Sequence, residues 1–254
     1  MKRIRKTLFV CFVIVIGGCA LPLVTETEIE NESAAEFQKM RTSLPISNDA
    51  ATRSYVNCVA YAIVSELEEP YASKIWDVEL FEKDEINAFA MPGGKIGVFT
   101  GILKAAKNQD QLAAVLGHEV AHVTQKHSLE RVNREMTTQI GVVGAAAAMG
   151  GGRATYDLVS MGAQIGLSLP YGRGQESEAD VVGLMYMADA GFDPRESVRL
   201  WKNMQKENEL APPEWFSTHP SSEHRIDDLI KKLPEALARY NAAQAAGKHP
   251  QCDR

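Results

Sequence analysis

The chain has 254 residues, 45% hydrophobic and 24% charged, the balance of a globular protein with one substantial core, which excludes collagen, low-complexity disorder and a polytopic membrane protein. Its formal charge is -6, and without Lys2, Arg3, Arg5 and Lys6, which fall in a segment read below as cleaved, 23 basic residues face 33 acidic ones, a balance of -10. A surface that acidic repels phosphate backbones, so nucleic acid is not an expected partner.

Lys2, Arg3, Arg5 and Lys6 precede an uncharged apolar run from Leu8 to Ile16. That run is too short for a spanning helix, which needs about 20 residues, so residues 1–18 read as the basic and apolar regions of a signal peptide. Ile16-Gly17-Gly18-Cys19 resembles a lipobox, in which the cysteine is acylated before cleavage in front of it. The mature chain is then expected to begin at Cys19 and to be held on a membrane by lipid. Ala20, where an aspartate would signal inner-membrane retention, implies the periplasmic side of the outer membrane of a Gram-negative bacterium. Cys58 and Cys252 remain; in an oxidising compartment they either pair or stay independent, and a disulfide is the expectation carried forward.

Residues 19–50 are acidic and weakly patterned, with Glu26, Glu28, Glu30 and Glu32, and read as a tether leading into a short helix. Residues 51–240 form the expected folded domain and 241–254 a tail. Tyr55, Val56, Val59, Ala60, Ile63, Val64 and Leu67 keep helical spacing, and Pro70 closes that helix. Strands are expected at Ile75–Phe81, Ile86–Met91 and Lys95–Phe99, the last two joined by a Pro92-Gly93-Gly94 turn. Asp110 can cap a long helix from Gln111 to about Thr138. The Gly- and Ala-rich stretch Ile140–Gly152 suits tight helix packing or an active-site flap. Asp193-Pro194-Arg195-Glu196 looks like a capping box. The fold class is α+β, mainly α, with about three strands beside the central helix.

That central helix contains His118-Glu119-Val120-Ala121-His122. Four residues are close to one helical turn, so both imidazoles project from one face and can hold one zinc ion while Glu119 reaches a water beside it. On so apolar a helix, two histidines and a glutamate are costly to bury without a metal or hydrogen-bond partners. A catalytic zinc wants a third protein ligand. Ser128 stands where a further histidine of the metzincin pattern would fall, and His127 is one position short and off the His118/His122 face. No acid occurs between Glu135 and Asp157. The next acidic cluster places Glu176 and Asp180 four apart on one helical face, one carboxylate able to bind zinc and the other to orient an imidazole. Glu178 points away and fits a solvated first turn.

Taken together, His118-Glu119-x-x-His122, then Glu176-x-x-x-Asp180 within Leu169–Asp180, then Ser217-Thr218-His219-Pro220 with Arg225, resemble one zinc peptidase family. It is the gluzincin family containing HtpX, the CAAX prenyl proteases and the mitochondrial Oma-type protease, and the lipobox suggests its periplasmic LoiP-like or BepA-like branch. Asn87–Ile96 is similar to the family's strand and turn beside the active-site helix. The resemblance implies His118, His122 and Glu176 as ligands of one Zn2+, Glu119 as general base and Asp180 as the partner steadying a ligating histidine. It also implies that His219 reaches the zinc or the developing oxyanion, and that Arg225 braces that loop by an ion pair. Gly172 stands where relatives often carry serine, and about twenty residues after Leu233 leave no room for a helical repeat module.

The implied reaction is hydrolysis of peptide bonds without a covalent intermediate, in unfolded or misassembled outer-membrane or periplasmic proteins lying along the strand at Asn87–Met91. A zinc-stabilised, chaperone-like lipoprotein with little proteolysis is the alternative. The intact Glu119 speaks against it.

Overall fold

Most of the acidic segment expected as a tether leading into a short helix is one long helix. In the computed structural model of the chain, which describes residues 23–148, 171–210, 215–219 and 224–253, helix α1 spans Glu26–Ser43. Thr25 and Glu28 cap it reciprocally: each side chain accepts from the other's backbone N–H. Ile29, Ser33 and Phe37, one turn apart, form its buried stripe. The stripe is three residues long and contains a serine, so the surrounding glutamates hide it. Phe37 meets Phe81 and Phe89 edge-on, and Arg41 forks onto Asp77 and Glu79, which fastens α1 to the sheet.

Helix α2, Ala50–Val64, is capped by Asp49 and buries the expected stripe from Tyr55 to Val64; it ends six residues before Pro70. The three strands, β1 (Asp77–Phe81), β2 (Ala88–Met91) and β3 (Lys95–Phe99), lie within the expected ranges. Their order is β1-β3-β2, with β3 parallel to β1 and antiparallel to β2. The β2–β3 turn needs Gly93 and Gly94, at φ 80 and 73 degrees; a Cβ on Gly94 would also lie 2.8 Å from the Ile75 carbonyl oxygen. Among the described residues β2 pairs only with β3, so its other edge is open.

Two helices replace the expected long one. Helix α3 is Gln109–Thr124 and α4 is His127–Ala148, with Lys126 between them at φ 57 degrees. Every side chain from Gln111 to Val123 is buried. Asn108, not Asp110, caps α3, accepting from the Gln111 N–H at 2.8 Å. Asp110 accepts from the Asp193 N–H instead. The Gly-rich end of the 140–152 stretch lies outside the described residues.

Helix α5, Arg173–Asp189, crosses α3 at Gly117 and Gly183. A Cβ on Gly183 would stand 2.6 Å from the Gly117 carbonyl carbon, so only two glycines let these backbones approach so closely. Then come α6 (Arg195–Leu210), the short α7 (Trp215–Thr218) and α8 (Arg225–Ala245). Asp193 accepts from the Arg195 N–H, as a cap should. Glu196, expected to turn back and complete a box, accepts from Asn108 and Gln111 and so ties the start of α6 to the start of α3. The mainly helical α+β class matches the sequence expectation.

Cys58 on α2 is disulfide-bonded to Cys252. The tail before it docks on the start of α3, where the Gln109 side chain donates to the Pro250 carbonyl and accepts from the Cys252 N–H. The bond closes a loop of 194 residues, and losing a native disulfide typically costs about 2 to 5 kcal/mol. Cys252→Ser is therefore expected to lower the denaturation midpoint while leaving metal content unchanged. An unchanged midpoint would show that the tail contributes nothing.

Candidate metal centre

Burial of α3 on every side carries His118, Glu119 and His122 into the interior, and the Gly117/Gly183 crossing brings the first turns of α5 against them. His118 Nδ1 lies 3.0 Å from Asp180 Oδ1. The Asp180 carboxylate accepts the Nδ1 proton, which turns Nε2, on the opposite side of the ring, toward the cluster. Nε2 points at His122 Nε2 (3.0 Å), His219 Nδ1 (3.3 Å) and Glu176 Oε2 (3.6 Å). Glu176 Oε1 in turn lies 3.4 Å from His122 Nε2 and 3.1 Å from His219 Nδ1. Thus His118, His122, Glu176 and His219 bring one ligand atom each to within 4.8 Å of one another, and all four residues are at most 3% exposed.

This donor set fits a zinc ion. Lone pairs of three imidazoles and a carboxylate converge where water is excluded, an arrangement that is unfavourable unless a proton or a cation sits among them. Burial pushes the His118 pKa down, but the hydrogen bonds with Asp180 and Glu176 outweigh it and hold the pKa up at about 9. Burial likewise opposes ionisation of Glu176, yet the three imidazoles hold its carboxyl far below the usual range. His122 is pushed well below its ordinary value by burial, reinforced by His118 and His219. A proton held at His118 and a metal ion therefore compete for the same point between these ligand atoms.

Arg225 joins the two carboxylates, donating from Nε to Asp180 (2.6 Å) and from Nη2 to Glu176 (2.5 Å), with its guanidinium 4.0 Å above the Trp201 ring. The expectation that Arg225 braces the His219 loop is corrected: its ion pairs go to α5. The carboxylates leave the guanidinium little reason to turn elsewhere, because two buried anions compensate one buried cation.

Glu119 stands beside the cluster. Its Oε1 accepts from Trp215 Nε1 at 3.0 Å and lies 3.5 Å from His219 Nε2. Trp215, fully buried, stacks on His219. A groove of about 200 Å³ runs past Glu119 and His219, walled by Asn87–Pro92, Met40 and Tyr171. The open edge of β2 therefore faces the site.

Four contacts are not anticipated by the sequence. Tyr171 stacks on His122 with ring centroids 3.8 Å apart. Trp215 holds the Glu119 carboxylate. His127, excluded as a ligand by its spacing, places Nδ1 2.9 Å from His122 Nδ1, and Glu178, expected to be merely solvated, lies 3.3 Å from His127 Nε2 although its side chain is 55% exposed. The left-handed Lys126 resets the helix phase and swings His127 back, a step no periodicity contains.

Comparison with known proteins places the matching region over this site. The profile of peptidase family M48 matches residues 50–232. The chain is 41% identical over 167 residues to the mitochondrial metalloendopeptidase OMA1 of Schizosaccharomyces pombe, covering 65% of this chain and 48% of that protein. It is 30% identical over 236 residues to the mitochondrial metalloendopeptidase OMA1 of Bos taurus, covering 88% and 44%. It is also 30% identical over 201 residues to the beta-barrel assembly-enhancing protease of Escherichia coli, covering 75% and 41%. The chain spans about half the length of these curated relatives, or less. The relatives correct one expectation: the yeast and bovine proteins are mitochondrial, which overturns placement on the periplasmic side of the outer membrane. That placement rested on residues 1–20, which lie outside the matched region and outside the described residues.

Proposed function

The chain belongs to peptidase family M48, whose members are zinc-dependent metallopeptidases, and from that premise we propose that it is a zinc metalloendopeptidase acting on proteins with unfolded or misassembled segments. The observation that carries this reading is the convergence of His118, His122, Glu176 and His219 on one buried point, with Glu119 beside it. In this proposal His118, His122 and Glu176 hold the ion. Asp180 keeps the His118 Nε2 lone pair turned inward. His219 adjoins both the ligands and Glu119, and serves as a fourth ligand or as donor to the developing oxyanion.

Zinc bound there supplies Lewis acidity, lowering the pKa of water toward ~7 and polarising a peptide carbonyl. Glu119 takes the proton from the attacking water and delivers it to the leaving amine, within reach of the groove that passes its carboxylate. The open edge of β2 can pair with an extended chain through backbone N–H and C=O groups, which read little sequence. Substrates without stable structure suit such an edge, and the name of the bacterial relative, beta-barrel assembly-enhancing protease, agrees with clients of that kind.

A metal site kept for folding alone has no use for a carboxylate placed as Glu119 is, so the chaperone-like alternative is not favoured. The test is metal analysis with a casein cleavage assay on the purified chain: about one zinc per chain, cleavage abolished by chelation and restored by zinc. Zinc-loaded chain that captures unfolded protein without cutting it would overturn the peptidase reading. Residues Ile16–Cys19 additionally support a lipid on Cys19, with no compartment implied. Intact mass shows it directly, and a free thiol at Cys19 of the isolated mature protein would remove that claim.

A further inference from the structure

The two histidines of α3 are anchored differently. His118 gives its outer ring nitrogen to a carboxylate, Asp180. His122 has no carboxylate at its outer nitrogen; Nδ1 faces Nδ1 of His127 at 2.9 Å, and His127 Nε2 faces Glu178 at 3.3 Å. We propose that His127 and Glu178 form a relay that positions His122, doing at one remove what Asp180 does for His118. The inference rests on the metallopeptidase reading and adds two positioning residues to it.

Proton placement follows from counting donors. A neutral imidazole carries one N–H. The Glu178 carboxylate only accepts, so the His127 proton sits on Nε2 and its Nδ1 is an acceptor. That acceptor takes the proton of His122 Nδ1, which leaves His122 Nε2 as a lone pair aimed at His118, Glu176 and His219. With the opposite tautomer, His122 would turn an N–H toward the ligand atoms and two lone pairs would meet at 2.9 Å. The ring has no freedom to avoid the choice, because Tyr171 stacks on it at 3.8 Å and Ser128 holds the Tyr171 hydroxyl at 2.9 Å. His127 itself is 1% exposed, so no water is needed as its partner.

The bend at Lys126 makes the relay possible. Continuing α3 without a break would carry His127 off the His122 face; φ 57 degrees at Lys126 starts α4 in a new phase with His127 as its first residue.

The experiment combines two readouts on the full chain. Long-range 15N–1H NMR of histidine-labelled, zinc-free chain is expected to show His122 protonated on Nδ1 and His127 on Nε2. Chelator competition is expected to show zinc affinity lowered about 10- to 100-fold in His127→Ala, the loss usual for an outer hydrogen-bond partner of a metal ligand. His127→Gln, whose amide oxygen can accept the same N–H, is expected to recover most of it. Glu178→Ala, at a half-exposed position that leaves the core untouched, should lower affinity by a smaller factor, about 3- to 10-fold, and Glu178→Gln should bind like wild type. Should His127→Ala fail to fold, the Glu178 pair and the tautomers of the unaltered chain decide. His122 protonated on Nε2, or Glu178→Ala matching wild type in zinc affinity, would overturn the relay. Wild-type chain that takes up no zinc would instead sink the metallopeptidase reading, while the tautomers still report on the relay.

Discussion

Glu119→Gln is expected to lower casein turnover by about 100- to 10,000-fold, the range for losing a positioned general base, while zinc stays bound. Both halves of that outcome follow from the geometry. Glu119 contacts His219 at 3.5 Å but is not among the four residues whose ligand atoms converge, so replacing it leaves the ion's ligands in place. Glutamine has the same shape and keeps an oxygen to accept from Trp215 Nε1, the contact that fixes Oε1 at 3.0 Å. What it lacks is the ability to take a proton. Steady-state kinetics with metal analysis of the same preparation give the answer. Turnover near that of wild type would remove Glu119 as the base, and zinc lost together with activity would make it a ligand.

The second large effect concerns Glu176. Glu176→Ala is expected to lose zinc on dialysis, with an affinity drop larger than the roughly 10- to 100-fold expected of Asp180→Ala, whose carboxylate acts through His118. Glu176 touches His118, His122 and His219 at 3.1 to 3.6 Å and takes the Arg225 guanidinium on its Oε2. Removing it leaves a buried guanidinium with Asp180 alone, a change of the kind that costs about 3 to 5 kcal/mol in stability. Glu176→Gln separates the two consequences, since it retains volume and a hydrogen-bond acceptor but not the charge. Circular dichroism melting beside zinc content distinguishes them: a folded Glu176→Ala chain that holds zinc like wild type would move the third ligand elsewhere, with His219 the next candidate.

Much of this site is legible in the sequence because its parts obey local periods. Two histidines four apart on an apolar helix share a face whatever surrounds them, and Glu176 and Asp180 share one for the same reason. The strands of the small sheet are visible as short runs rich in β-branched and aromatic residues, the last two joined by Pro92-Gly93-Gly94, and the Tyr55–Val64 stripe as helical spacing. Three features that differ from expectation share another cause. Asn108 rather than Asp110 caps α3, since both are good caps and the Asp110 carboxylate is taken by the Asp193 N–H. Residues 26–43 form one 18-residue helix rather than a tether leading into a short one because Phe37 is buried against Phe81 and Phe89, a contact between distant segments of which acidic composition says nothing. The helix break at Lys126 leaves no trace in the sequence, as neither Gln125 nor Lys126 resists helix and the left-handed residue is imposed by packing.

The sequence by itself therefore determined the chemistry available: a His-x-x-x-His helix, a base beside the first histidine, an acidic pair downstream and two cysteines. Tertiary structure alone decided which of these groups meet. Glu176 reaches His122 from a separate helix because Gly117 and Gly183 let two helix backbones nearly touch. His127 reaches the outer nitrogen of His122 because one residue reverses its φ. Periodicity is a property of a single segment and survives in the sequence; the distance between segments is set by how their faces pack, and that is written in no one of them.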